Sequence, residues 1–152
     1  VIIVADTSAL LAVFNPRDPD HGRCSAMFNT TGGFVYSPLV FAELDHLIRR
    51  RVHYQAAKQA YVDLLERVTG PEATDYVGQL SVDDHLAVRE IREKHDDMEL
   101  DLADCFAVAL ARDWGTNQIF TLDEGDFRRL RPLADGSRDF GHFRILPTDS
   151  GS

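Results

Sequence analysis

The chain opens Val1-Ile2-Ile3-Val4-Ala5-Asp6-Thr7-Ser8, and these residues decide the class of fold. An uninterrupted apolar run, mostly β-branched and without polar alternation, suits a strand buried on both faces inside a parallel sheet. Asp6, Thr7 and Ser8 end the run, and each is a good cap for a helix over 9–14. Outward from there, strand and helix signals alternate. Asn15-Pro16-Arg17-Asp18-Pro19 breaks the first helix, and a second is expected over 20–29. A short strand follows at Phe34–Tyr36, and Ser37 with Pro38 starts a helix over Pro38–Arg51. Positions 53–68 form an amphipathic helix with Ala57, Tyr61, Leu64, Leu65 and Val68 on its apolar stripe. A strand is expected over 74–80. Ser81 caps a helix over Val82–Lys94 that carries Leu86 and Ile91 inward. The segment 100–113 is apolar nearly all round and reads as a central buried helix. Strands over 118–122 and 143–146 complete the set, with a surface loop over 131–144. Alternating strands and helices predict an α/β fold with a mainly parallel central sheet.

Length and composition bound the rest. At 152 residues the chain has room for one domain, expected over 1–147 with a frayed polar tail over 148–152. Hydrophobic residues at 44% and charged residues at 27% match a folded globular chain and exclude a disordered or collagen-like one. The longest apolar stretch, 105–111, falls far below the roughly 20 residues that span a bilayer. No basic-then-apolar leader precedes the first strand. Cys24 and Cys105 make no disulfide framework and read as buried thiols in a reducing compartment, so a cytoplasmic location is expected. A net charge of −9 argues against a nucleic-acid binder that works through a broad basic surface. It is compatible with carboxylates gathered around a metal. Aspartates outnumber glutamates 18 to 7, and Asp is a poor helix former, so an Asp inside a helix asks for a reason.

Asp6 and Asp123 each follow a strand, where open parallel sheets place their ligands. Singly, each is equally a cap or a turn residue; at one edge of one sheet they become a site. Glu43 lies in the Pro38 helix among Leu39, Phe41, Ala42 and Leu44, which crowd it. Asp104 sits within Leu102-Ala103-Asp104-Cys105-Phe106-Ala107-Val108, where burial is hard to avoid, and a buried charge needs a partner or a metal. Asp101, three residues earlier, shares its face or serves the helix N-terminus. Oxygen ligands from four segments, with no Cys/His set at ligand spacing, indicate a hard cation, Mg²⁺ or Mn²⁺. The six histidines form no zinc pattern, and no P-loop, dinucleotide-binding turn or nucleophile elbow is present.

Four stretches then resemble one family in order. Val4-Ala5-Asp6-Thr7-Ser8 is similar to the opening of PIN-domain proteins. Ser37-Pro38-Leu39-Val40-Phe41-Ala42-Glu43 looks like their second element, and Leu102-Ala103-Asp104 with Ala107 and Ala111 like their third. Thr121-Leu122-Asp123 with Asp126-Phe127 resembles their last. The compact length resembles the VapC toxins of bacterial toxin–antitoxin pairs. This resemblance implies a three-layer α/β/α sandwich and a Mg²⁺- or Mn²⁺-dependent endoribonuclease. It also implies inhibition by a cognate VapB antitoxin and a homodimer. Carried over, Asp6, Glu43, Asp104 and Asp123 are the expected acidic quartet. Asp6 and Asp104 would be direct metal ligands, with Glu43 and Asp123 holding a second ion, orienting metal-bound waters or acting as base, and Asp101 falls where many relatives are not acidic. Thr7, Ser8 and Thr121 would be polar groups beside the metal.

An acidic site needs basic groups nearby to receive RNA. Arg49, Arg50 and Arg51 are candidates, as are Arg128, Arg129 and Arg131, although both clusters equally suit helix ends. Two rival readings exist. A haloacid-dehalogenase-type phosphatase wants a second Asp two residues after the first, where Ser8 stands. A non-catalytic PIN-like binding module would not need the acidic quartet.

Overall fold

In a computed structural model, which describes residues 1–135 and 138–150, five short strands form one parallel sheet. They are β1 (Ile3–Ala5), β2 (Phe34–Tyr36), β3 (Tyr76–Val77), β4 (Gln118–Phe120) and β5 (Arg144–Leu146). Their spatial order is β3-β2-β1-β4-β5, and every neighbouring pair is parallel. Helices α1 (Thr7–Phe14), α2 (His21–Thr30), α3 (Pro38–Arg51) and α4 (Tyr54–Thr69) lie on one face. Helices α5 (Val82–Lys94), α6 (Leu102–Asp113) and α7 (Glu124–Arg129) lie on the other.

The opening run is buried on both faces, as its composition demands. Ile3 and Ala5 pack with Phe34, Tyr36, Phe120 and the first helix layer, while Val4 packs with Val35, Ile119 and α6. The three-layer α/β/α expectation therefore holds. β1 pairs with β2 on one side and β4 on the other, so the strand order reverses there. The crevice at the carboxyl ends of β1 and β4 is the switch point where such sheets bind ligands.

Several local expectations change. The strand expected over 74–80 shrinks to Tyr76–Val77, with the buried acceptor Asp75 just before it and the Ser81 cap of α5 soon after. The Asp75 carboxylate takes the backbone N–H groups of Gly33 and Phe34, the Tyr36 hydroxyl at 2.5 Å and the Arg67 guanidinium at 2.5 Å. On α4 the buried face is Ala57, Ala60 and Leu64, whereas Tyr61 and Leu65 are exposed. On α5, Ile91 points inward with Ala87 and Val88, and Leu86 points out. The central helix starts at Leu102, not position 100, because Asp101 caps it. A 3₁₀ turn at Asp96–Met98 and helix α7 add to the expected elements. Of the tail expected over 148–152, residues 151–152 lie outside the described residues, and Ser150 donates to the Pro147 carbonyl. Asp149 accepts from the Ile145 N–H and from Arg128, and Thr148 bonds Glu124.

Candidate active site: an acidic cluster at the sheet switch point

Asp6 leaves β1 at the N-cap position of α1, yet its side chain makes no cap hydrogen bond. Its Oδ2 instead accepts from Ser8 Oγ at 2.8 Å and from Thr121 Oγ1 at 2.7 Å. Ser8 Oγ also accepts the Leu122 N–H at 2.9 Å, and Thr121 Oγ1 accepts the Asp123 N–H at 3.0 Å. These bonds stitch the β1–α1 turn to the β4–α7 turn across 113 to 115 residues of sequence. They fix the orientation of the Asp6 carboxylate and bring Asp123 to the same edge.

Asp104 stands in the first turn of α6 and is 5% exposed. Among the described residues its side chain has no ion pair and no hydrogen bond. The other three buried aspartates all have partners: Asp6 accepts from two hydroxyls and has no ion pair, while the remaining two meet an arginine. Asp75 pairs with Arg67, and Asp84 with Arg112 at 3.1 Å. A buried carboxylate without a cation is costly, so the exception at Asp104 marks a place built for something else.

Asp6, Asp104 and Asp123 each offer a ligand oxygen, and these oxygens lie within 4.8 Å of one another. Burial pushes the Asp104 carboxyl up to about 8, with repulsion from Asp6, Asp123, Asp101 and Asp126 adding to it. Desolvation inside the cluster, then the Asp6 charge, pushes Asp123 up to about 6. Without a cation the site holds protons that a free aspartate would have lost. Thr7 Oγ1 is buried and has no hydrogen-bond partner. An all-oxygen donor set, unpaired and self-repelling, fits a hard divalent cation.

The remaining predicted residues are placed as follows. Asp101 is the N-cap of α6, accepting the Ala103 N–H at 2.9 Å, and adds charge to the cluster without joining it. Glu43 projects from α3 and is exposed; the crowding expected from its apolar neighbours is absent, since Leu39 and Ala42 are exposed too. It is not part of the three-carboxylate group. Arg49, Arg50 and Arg51 form the exposed last turn of α3, with Arg49 over the Tyr54 ring. Arg128 is held by Asp149 at 2.6 Å, and Arg129 lies 3.6 Å from Asp97. Asp126, which the sequence reading left out of the site, faces Asp104 and Asp123 closely enough to raise both. Its position three residues after Asp123, in a helix, was the signal for it.

Comparison with known proteins agrees with this architecture. The PIN-domain family model matches residues 3–132. Ribonuclease VapC26 of Mycobacterium tuberculosis is 33% identical over 146 residues, covering 95% of this chain and all of that protein. Among solved structures, M. tuberculosis VapC20, a toxin that cleaves the sarcin–ricin loop, superposes with a TM-score of 0.70. It has 24% identity, covering 80% of this chain and 89% of its own. VapBC2 of Rickettsia felis, bound to promoter DNA, gives 0.62 at 14% identity, covering 88% and 96%. A toxin–antitoxin complex from Klebsiella pneumoniae gives 0.61 at 15%, covering 87% and 95%. With its parallel sheet, its acidic switch point and its near full-length match to a VapC protein, the chain belongs to the PIN-domain family.

Proposed function

We propose that the chain is a Mg²⁺- or Mn²⁺-dependent endoribonuclease and the toxin of a toxin–antitoxin pair, acting in the cytoplasm. The observation that carries this reading is Asp104, buried without a cation partner between Asp6 and Asp123. The 33% identity to a VapC ribonuclease over nearly the whole chain supports the substrate class.

Asp6, Asp104 and Asp123 would hold the cation. When bound, it would screen the scissile phosphate, lower the pKa of water and stabilise the leaving oxygen. The chain's own side chains prepare that chemistry. Ser8 and Thr121 lock the Asp6 carboxylate by donating to one of its oxygens, leaving the other for a ligand. Asp104 and Asp123, with pKa values of about 8 and 6, release their protons as the charge is neutralised. Asp123, the most open of the three, would take a proton from the attacking water. Thr7 Oγ1 offers a hydroxyl that is free of internal partners. Exposed on α3, Glu43 would act only through a second ion or a substrate-side group.

The partner follows from the charge. An antitoxin of the VapB type would place an Arg or Lys among the carboxylates, forming charge-assisted and, for Arg, bidentate pairs. Its helix would pack beside α3 and α4, where Leu39, Tyr54, Tyr61 and Leu65 are exposed; a second copy of the chain competes for the same apolar surface. The deciding experiment is cleavage of RNA by purified protein with Mg²⁺ or Mn²⁺ against exhaustive chelation, beside Asp104→Asn. Cleavage that survives chelation overturns the metal-dependent reading. Harmless expression of an active enzyme, with no partner co-purifying from the adjacent small reading frame, overturns the toxin role alone.

A further inference from the structure

A second concave site lies behind the acidic cluster, between α5, the far half of α6 and the segment after α7. It encloses about 650 Å³, within the range of small-molecule sites. Its floor is apolar, with Ile91 and Val108 buried and Leu133 beside them. Its wall is basic, carrying Lys94, Arg112, Arg129 and Arg131 against the acids Glu90 and Asp139. In a chain of net charge −9 this local excess is unexpected.

The cations are also unequally committed. Arg112 is occupied by buried Asp84 and by Asp113. Among the described residues, Arg129 has one ion pair, an exposed one with Asp97 at 3.6 Å. The side chains of Lys94 and Arg131 have no ion pair or hydrogen bond among the described residues. Cations held free over an apolar floor suit a ligand that is both anionic and flat.

Two elements connect this cavity to the acidic cluster. Val108 follows Asp104 by four residues on α6, one turn or about 6 Å along the helix. Arg129 follows Asp123 through α7, a rise of roughly 9 Å. Along these two helices the cavity lining thus begins about one to two turns from the cluster, a span comparable to one or two nucleotides.

We infer that this cavity is a subsite for single-stranded RNA, seating a neighbouring base against Leu133, above the buried Ile91 and Val108, and its phosphates between Lys94, Arg129 and Arg131. The inference rests on the ribonuclease reading and adds to it where the substrate is gripped. Single strands are held without sequence readout by cations along the backbone beside surfaces that take the base face, most often aromatic ones; here the aliphatic Leu133 takes that place.

The test reads binding and not turnover, using Asp104→Asn protein and labelled oligoribonucleotides trimmed stepwise from either end. Lys94→Ala with Arg131→Ala should weaken the long probe roughly tenfold or more and lower the salt slope by about 1.4, for two phosphate contacts on a single strand. The same pair should leave unchanged a probe trimmed on the cavity side. Leu133→Ala should weaken the long probe while keeping the salt slope. Unchanged affinity for the long probe overturns the inference, as does equal loss for long and trimmed probes. Intact RNA binding with weakened antitoxin binding overturns it in favour of an acidic peptide site. Wild-type protein that fails to cleave with Mg²⁺, while RNA binding still depends on Lys94 and Arg131, instead breaks the nuclease reading and leaves the cavity's ligand standing.

Discussion

At the scale of single residues, the cluster depends on charge more than on shape. Asp104→Asn keeps the size of the side chain and removes the charge that a cation needs. Loss of groups that merely support a ligand costs tenfold to a hundredfold, so loss of this carboxylate should cut RNA cleavage by roughly a hundredfold or more. Asp101→Asn should cost far less, because Asn is as good a helix cap as Asp and the bond to the Ala103 N–H persists. Equal loss at the two positions, measured as kcat/KM, would show that Asp101 is a ligand. Thr121→Val is a third probe. It removes a fully buried donor to Asp6 and the acceptor of the Asp123 N–H. Leaving the Asp123 N–H unpaired, and Asp6 with Ser8 as its one remaining donor, should destabilise the protein by about 1–3 kcal/mol in urea unfolding and lower metal affinity as Asp6 loses part of its fixed orientation.

Among the elements, the contrast between the two kinds of buried aspartate explains what holds the sheet together. Asp75 ties the start of β2 to α4 by accepting from two backbone N–H groups, from Tyr36 and from Arg67. Arg67 in turn donates to the carbonyls of Phe28 and Thr31 and lies 4.0 Å from the centre of the Phe28 ring. Burial and the Asp75 carboxylate push the Tyr36 phenol far above its ordinary range, so it remains a donor at any working pH. Arg67→Ala would leave Asp75 charged and buried. The expected cost is about 3–5 kcal/mol, against about 1 kcal/mol for Tyr36→Phe, which removes one donor from a multiply bonded carboxylate. Chemical denaturation of the two variants checks the ranking. Neither residue touches the acidic cluster, so activity per folded molecule should survive in Tyr36→Phe.

For the whole molecule, the acidic cluster links metal, pH and stability. Asp104 and Asp123 have ordinary values of 3.8 and stand at about 8 and about 6 in the folded chain. Between about pH 4 and pH 8 the folded state thus binds more protons than the unfolded state. Stability of the metal-free protein falls as pH rises through that window, steepest where the unfolded carboxyls are already ionised. A divalent cation that binds only the folded state reverses this by mass action. Melting followed from pH 5 to pH 8 in chelator should show a falling Tm, and Mg²⁺ or Mn²⁺ should restore it most at pH 8, where the ligands are deprotonated. Asp104→Asn should flatten the metal-free profile and remove most of the metal response. A flat profile in the unmodified chain would mean that the three carboxylates do not repel one another as the geometry requires.

What the sequence by itself determined was local. A β-branched run ended by Asp-Thr-Ser makes β1 and the turn into α1. Ser37-Pro38 and Ser81 start their helices as expected, and the structure adds a reciprocal cap between the Ser81 side chain and Asp84. The apolar run from Cys105 to Ala111 marks α6 as a central, largely buried helix. These are effects of neighbours within a turn or two, which a sequence displays directly. Only the tertiary structure decided which acids meet. Glu43 and Asp104 both lie in apolar stretches, yet α3 turns Glu43 to the surface while α6 turns Asp104 into the crevice between β1 and β4. The stripe on α4 divides for the same reason, since packing against α3 covers Ala57, Ala60 and Leu64 and leaves Tyr61 and Leu65 open. The basic cavity is assembled from three segments far apart in the chain. Burial is a property of what covers a face, and that depends on how separate elements pack rather than on the period of any one of them.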